Sequence, residues 1–341
     1  MSVASPSLFT KEHIESHAFA ASYALAEQAI HCLELVAELS WANLSFQFKG
    51  GNSLLVILQD PKRFSIDVDI ATDETVGRIE ESLEKIVGEC GVFVKWTKRQ
   101  HKTKPWIALS SYYLFYKSHY VKEEDAFVML DAQLSRSPYA TKDVPIVCGG
   151  LFTSVIKTEV PLASSLIGDK LLTLGPGTLG IPLGKGKEAQ RLKHVFDVSL
   201  LLATGPALSK IRESFVACVN HENKLQRKEI TAAQLLSDTI LFCKSVAERA
   251  DQPHMAEGLS PVLAENIKGL PDFAAHLFTK GYSWPELRRD MARVGLCIAA
   301  VCNSGVDDAA FAGALKNNGD DAKKCWGTAM AWVNQAGQAA A

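Results

Sequence analysis

Two aspartates, Asp67 and Asp69, stand two residues apart in the alternating stretch Ser-Ile-Asp-Val-Asp-Ile at 65–70. Residues i and i+2 of a strand project to one face, so both carboxylates point one way and Ile66, Val68 and Ile70 the other, toward a core. Neighbouring carboxylates repel, and each raises the other's pKa unless a cation lies between them. A hard divalent cation, Mg2+ or Mn2+, resolves that repulsion and takes phosphate oxygens at the same time. Upstream, Gly50-Gly51 permits close backbone approach, and N–H groups at the start of a following helix can hold phosphate. Strand, Gly-Gly, helix and then Asp-x-Asp on the next strand is the layout of a phosphoryl-transfer site, in which positioning and charge neutralisation supply most of the catalysis. A solvated sheet edge would also accommodate two aspartates. The Gly-Gly context and the Arg63-Phe64-Ser65 lead-in favour the site.

Those elements in that order resemble the nucleotidyltransferase toxins of the AbiEii/AbiGii type, relatives of the MenT toxins within the polymerase-β-like nucleotidyltransferase superfamily. The family pattern is Gly-Gly-Thr/Ser-x-Leu, then Arg-x-Ser-x-Asp-hydrophobic-Asp. Gly50, Gly51, Leu54, Arg63, Ser65, Asp67 and Asp69 match it, and Asn52 stands where Thr or Ser is usual, with Ser53 beside it. The resemblance implies that Gly50, Gly51, Asn52, Ser53, Arg63 and Ser65 bind a nucleoside triphosphate. It implies a third acid on a later strand, for which Asp131 in Met129-Leu130-Asp131-Ala132 is the candidate. Asp67, Asp69 and Asp131 would then ligate Mg2+ (or Mn2+), and Asp131 would orient or deprotonate an attacking hydroxyl. Next comes a Lys-Leu-x-x-Leu helix, matched at Lys170–Leu174, whose Lys170 would reach the triphosphate. The last motif, Arg-Asp-x-x-Asp, is read here as Lys193-His194-Val195-Phe196-Asp197. Asp197 keeps the active-site position and His194 replaces the first acid.

The resemblance spans roughly residues 40–205. It implies an NTP-dependent enzyme that releases pyrophosphate and transfers NMP to an acceptor, with tRNA the first choice. It also implies the toxin of a type IV-like toxin–antitoxin or phage-defence system, with a cognate antitoxin as partner. Two other readings keep the fold. In one the acceptor is a protein hydroxyl or a small molecule such as an aminoglycoside. In the other, the departures at Asn52 and His194 mark a degenerate nucleotidyltransferase fold that only binds a partner.

The elements that must position these residues are legible as an α+β chain. Apolar spacing predicts a helix over 11–38 capped by Thr10, a short strand over 44–48, and a helix opening near Ser53. A strand at 65–70 and an amphipathic helix over 74–90 follow, then strands over 92–96, 106–116 and 126–134. From about residue 160 the composition turns helical and rich in alanine. The expectation is a polymerase-β-like mixed sheet with flanking helices over 1–160, then an all-helical domain over 161–341 that contributes Lys170 and Asp197.

The chain has 341 residues, 47% hydrophobic and 22% charged, an ordinary globular balance. With 36 Lys and Arg against 38 Asp and Glu, the net charge is −2, which excludes a generally basic nucleic-acid coat. Apolar runs such as 198–203 and 294–302 fall short of the roughly 20 residues that span a bilayer, and no leader pattern opens the chain. Eight scattered cysteines without a Cys-x-x-Cys pair point to free thiols in a reducing compartment and a cytoplasmic protein.

Three further signals carry less. Gly184-Lys185-Gly186-Lys187 lacks the Ser or Thr of a phosphate loop, although a mobile basic loop there could close over substrate. His13 and His17 are spaced for metal on a helix, but no third ligand is evident. The run of Lys95, Lys98, Arg99, Lys102 and Lys104 between Trp96 and Trp106 suits an RNA backbone with stacked bases. A charged hairpin over an aromatic core explains the same pattern.

Overall fold

A computed structural model describes residues 3–58, 61–100, 108–122, 124, 126–254 and 258–339. It comprises two units, Met1–Leu162 with His276–Lys280, and Ala163–Ala275 with Gly281–Ala341.

The first unit is built on one mixed sheet. Its strands are β1 (Gln47–Lys49), β2 (Asp67–Ala71), β3 (Phe93–Arg99), β4 (Leu109–Tyr116), β5 (Phe127–Gln133), β6 (Thr141–Cys148) and β7 (Phe152–Pro161), in the order β3-β4-β5-β2-β1-β7-β6. β2 runs parallel to β5 and antiparallel to β1, and β1 runs parallel to β7. The helices are α1 (Lys11–Ser16), α2 (Tyr23–Trp41), α3 (Leu54–Ile57) and α4 (Val76–Glu89). Strand alternation holds where it matters: Val68 and Ile70 on β2 and Val128, Leu130 and Ala132 on β5 are fully buried. The expected strand over 106–116 is β4 for its described part, since residues 101–107 lie outside the described residues.

The single helix expected over 11–38 is two. Thr10 caps α1 as expected, accepting from the His13 N–H at 3.3 Å. The chain then breaks at Phe19, which adopts φ +54, and restarts at Ser22, whose side chain caps α2. The helical spacing continues through the break, but the Phe19 ring stacks on Phe278 and the Ala20 N–H donates to the Phe278 carbonyl. Contacts distant in sequence override the local period here. The hairpin β6–β7, for which the sequence analysis predicts no element, turns at Gly149 (φ +49). Residues 158–161, where the composition changes, are the last of β7.

α2 packs against β7, β5 and β2 and is buried along most of its length. It carries acids into that core. Glu34 accepts the N–H groups of Val3 (2.8 Å) and Ala4, which ties the N-terminal segment down. Glu38 is fully buried, and burial followed by the nearby Glu34 charge pushes its carboxyl up to about 9.

In the second unit the helices are α5 (Ala163–Leu171), α6 (Glu188–Leu202), α7 (Leu208–Gln226), α8 (Ala232–Ala247), α9 (Pro261–Ala274), α10 (Trp284–Cys302), α11 (Asp308–Asn318) and α12 (Ala322–Ala339). α10 is the central one, packed on α12, α8, α6 and α7. The loop 175–187 is pinned rather than loose. Asp238 accepts from Gly177 N–H (2.9 Å) and Thr178 Oγ1 (2.7 Å). The buried Arg191 donates to the carbonyls of Ile181 and Pro182 and pairs with Glu265 at 3.0 Å. All eight cysteines are free, and no helix among the described residues is long and apolar enough to cross a membrane.

Glu38 sets a pH dependence. Its folded pKa lies above its unfolded value, so its favourable contribution is complete below pH 4.5 and is lost as pH rises through about 9. Glu38→Gln is expected to flatten that decline and to stabilise the protein by about 2–4 kcal/mol near pH 8. Urea unfolding at pH 5.5 and pH 8.5 reads both effects.

Candidate active site

Asp67 opens β2, and Asp69 follows on the same face. In the parallel β2–β5 pairing Asp69 stands directly opposite Asp131, and Asp67 opposite Met129. Three carboxylates thus share one face of two adjacent inner strands, while Val68, Ile70, Leu130 and Ala132 fill the opposite face. Asp67 is exposed, and Asp69 and Asp131 are half-buried. Among the described residues no three His, Cys, Asp or Glu side chains form a ready-made metal cluster. The donor set nevertheless fits a hard divalent cation: it is all oxygen, and it occupies neighbouring positions on a rigid sheet.

The glycine loop fits around this row. Gly50 has φ +73, and a Cβ built there would run into the Asp69 carboxylate. A Cβ on Gly51 would stand 2.7 Å from an Arg63 guanidinium nitrogen and 2.9 Å from Ser65 Oγ. The two glycines therefore admit the acid on one side and the Arg63–Ser65 pair on the other. Arg63 is buried and donates to the Phe64 carbonyl at 2.9 Å. An antiparallel bridge to Leu277 and a bond from Phe64 N–H to the His276 carbonyl fix its backbone.

Asn52, at the position where the family pattern has a hydroxyl residue, and Ser53 beside it are both buried. Ser53 Oγ donates to the Gly50 carbonyl at 2.9 Å and so closes the turn on itself. Asn52 is fully buried, and neither of its amide atoms has an ordinary hydrogen-bond partner. It faces the Cys32 thiol of α2. That thiol is raised well above its usual pKa by burial first and then by the Asp67 charge. α3 is only one turn long, and the N–H groups of Leu55, Val56 and Ile57 bond to Asn52 and Ser53 carbonyls. Those N–H groups are engaged within the turn, and so short a helix has little dipole, so the helix start does not offer the phosphate grip expected of it.

Two neighbours escaped the sequence reading. Ser111 on β4 lies opposite Asp131 in register, and its hydroxyl donates to Asp131 Oδ1. Lys49 pairs with Asp69 across β1–β2 and donates to Gln133 Oε1 at 3.0 Å. A cation thus stands in the acid row. Its signal was its position immediately before Gly50-Gly51, whereas nothing local marks Ser111.

Lys170 and Asp197 meet each other in the second unit, on α5 and α6, at 2.8 Å, with side chains 3% and 0% exposed. His13 and His17 are structural. His13 Nε2 bonds to the Leu151 carbonyl and His17 Nδ1 to the His13 carbonyl. On β3, Lys98 pairs with Glu80 of α4 at 2.7 Å, and Lys95 lies over the Phe115 ring of β4. Lys102, Lys104 and Trp106 lie outside the described residues.

Residues 35–277 match the model of the family described as Nucleotidyl transferase AbiEii toxin, Type IV TA system. That is more than two thirds of the chain, and it spans every residue singled out above from Asp67 to Asp197. No curated protein matches the chain. Among solved structures it is similar to MenT4, a nucleotidyltransferase toxin from Mycobacterium tuberculosis, at 16% identity and a TM-score of 0.49, over 85% of this chain and 97% of that one. Another is an antigenic nucleotidyltransferase-like protein from Paracoccidioides brasiliensis, at 11% identity and a TM-score of 0.36, over 61% of this chain and 95% of that one.

Two substitutions probe the construction. Gly50→Ala drives a methyl group toward Asp69 and forces a non-glycine residue to φ +73, with an expected loss of about 1–3 kcal/mol in urea unfolding. Lys170→Ala withdraws the cation from a buried carboxylate, with an expected loss of about 3–5 kcal/mol. The double replacement Lys170→Met with Asp197→Leu is expected to recover most of that loss in the same measurement.

Proposed function

The chain belongs to the AbiEii nucleotidyltransferase toxin family, and we propose that it transfers a nucleotide from an NTP to the hydroxyl of an RNA acceptor, tRNA in the first instance. The observation that carries this reading is the register of Asp69 against Asp131, with Gly50 stripped of a side chain where the Asp69 carboxylate packs.

In this mechanism Asp67, Asp69 and Asp131 would hold Mg2+ or Mn2+, which would supply charge neutralisation for the phosphates and the leaving pyrophosphate. The glycine loop brings its backbone against the triphosphate, and Arg63 stands beside Gly51 to meet a phosphate oxygen. Asp131 accepts the proton of the attacking hydroxyl, and the Ser111 hydrogen bond holds its other oxygen in place. Lys49 offsets the charge of the row before substrate arrives. Following the family resemblance, Lys170 is assigned to the triphosphate and Asp197 to fixing the Lys170 ammonium. The products are a nucleotidylated acceptor and pyrophosphate.

Within the toxin family, the same proposal places the protein in a toxin–antitoxin or phage-defence pair with a cognate antitoxin, acting in the cytoplasm, where NTP and tRNA are available. Incubation with each labelled NTP, Mg2+ and separated RNA, protein and small-molecule fractions tests it. Label is expected in RNA and in no other fraction, and chelation by EDTA is expected to abolish it. Asp67→Asn with Asp69→Asn should reduce transfer by about a thousandfold or more. Transfer that survives both replacements would sink the mechanism, and label in protein or a small molecule would replace the acceptor.

A further inference from the structure

The acid row does not end at Asp131. Followed strand by strand through the pairing register, it reads Lys49 on β1, Asp69 on β2, Asp131 on β5, Ser111 on β4 and Arg99 on β3. Register partners share a face, so the same face carries Met129 and Tyr113 level with Asp67, and then Phe127, Phe115 and Lys95. Burial separates this face from its reverse. Tyr112, Leu114, Val128 and Leu130, one residue out of step, are fully buried on the reverse, where Lys98 meets Glu80 of α4. On the acid face Tyr113, Phe115, Phe127 and Met129 are half-buried, and Lys95 and Arg99 are exposed. The rings support one another: Tyr113 and Phe127 meet edge-on at 4.7 Å, and Phe115 lies 5.8 Å from Phe127.

Two cations border the rings. Lys95 Nζ stands 4.5 Å from the centroid of the Phe115 ring, and Arg99 donates to the Met129 sulfur at 3.3 Å. Among the described residues neither forms an ion pair with a carboxylate. A thioether is a weak acceptor and a ring has no net charge, so both cations are left to an anion from outside. Position excludes the incoming NTP as that anion. Gly50 packs on Asp69 from the β1 side, where the triphosphate is assigned. β3 is the third strand beyond β2 in the opposite direction, about 14 Å away at the usual spacing. An NTP carries its charge on its phosphates and has none left for β3. In phosphoryl transfer the attacking and leaving oxygens lie in line, on opposite sides of the phosphorus. With pyrophosphate leaving toward β1, the acceptor hydroxyl enters from the Asp131 side, over β5 and β4. A molecule that suits this side is anionic and flat enough to stack on a face of rings. A polynucleotide strand is both, whereas an aminoglycoside is cationic and is repelled.

Resting on the nucleotidyltransferase reading for the reaction itself, we propose that the β5–β4–β3 part of the acid face is the docking platform of the acceptor RNA. An unpaired nucleotide beside the reacting hydroxyl stacks on Tyr113, Phe115 and Phe127, and Lys95 and Arg99 hold the phosphates that flank it. Arg99, level with Ser111 and Asp131, lays the strand across the sheet toward Asp131. The basic run of β3 divides accordingly, and Lys98, on the reverse, takes no part.

The test is equilibrium binding of a fluorescein-labelled single-stranded RNA 12-mer, read by anisotropy across a salt series, beside displacement of a fluorescent ATP analogue by ATP. Lys95→Ala with Arg99→Ala, both at exposed positions, is expected to weaken RNA binding about tenfold or more. The slope of log affinity against log salt should become shallower by about 1.4, as two phosphate contacts are lost. Lys98→Ala is expected to change neither. Phe115→Leu is expected to weaken binding about tenfold and Phe115→Trp to restore it. All these variants should keep the affinity for ATP, and Asp69→Asn should lose label transfer and still bind the RNA. An RNA affinity unchanged in the Lys95 and Arg99 double replacement overturns the proposal. So does a wild type that binds a glutamate 12-mer as tightly as the RNA, which would give the face to an acidic protein segment. Weakened ATP binding in Phe115→Leu would also overturn it, by giving the rings to the base of the NTP. RNA binding that depends on Lys95 and Arg99 in a protein that transfers no nucleotide would overturn the proposed activity and leave the platform standing.

Discussion

Like charges held side by side set the terms for the first unit. Asp69 and Asp131 are register partners on adjacent parallel strands, and Asp67 is two residues away on the same face. A sheet tolerates that row only if something of opposite sign attends it. Lys49 across from Asp69 and the Ser111 hydroxyl on Asp131 are the attendants within the chain. The rest of the local design follows. The strands must be inner ones to keep the register, α2 must fill the face behind them, and the loop next to Asp69 must be glycine because no side chain fits.

The acids on α2 show a contrasting treatment of charge. Glu38, packed beside the Glu34 carboxylate, is held largely neutral by burial. Lys170 and Asp197 are equally buried but face each other at 2.8 Å. The three situations span the ways a carboxylate is accommodated away from water: neutralised by a proton, by an internal cation, or left half-open on a face that can take a ligand. Only the last is suited to binding something from outside.

Much of the site was legible because its residues are close in sequence. Gly50, Gly51, Arg63, Ser65, Asp67 and Asp69 fall within twenty residues, and alternation alone puts both aspartates on one face. Asp131 needed the family resemblance, since a single acid in a strand has no local mark. Ser111 and Lys49 act across strands, and pairing register is not written in either strand by itself. The break at Phe19 was missed for a related reason, as its partner Phe278 lies far along the chain. Recognisable motifs stop near residue 205, yet the family match continues to residue 277, the bridge partner of Arg63.

That bridge has a consequence for biosynthesis. The first unit is discontinuous: its sheet is encoded before residue 162, but the strip His276–Lys280 that backs Arg63 emerges from the ribosome more than a hundred residues later. Domains fold as units during synthesis, usually from the N-terminus. In this chain the sheet can form early, while the backbone of Arg63 stays unbraced until most of the second unit has been translated. A nascent chain of the first 205 residues therefore already carries Asp67, Asp69, Asp131 and Asp197 and still lacks the strip that backs Arg63.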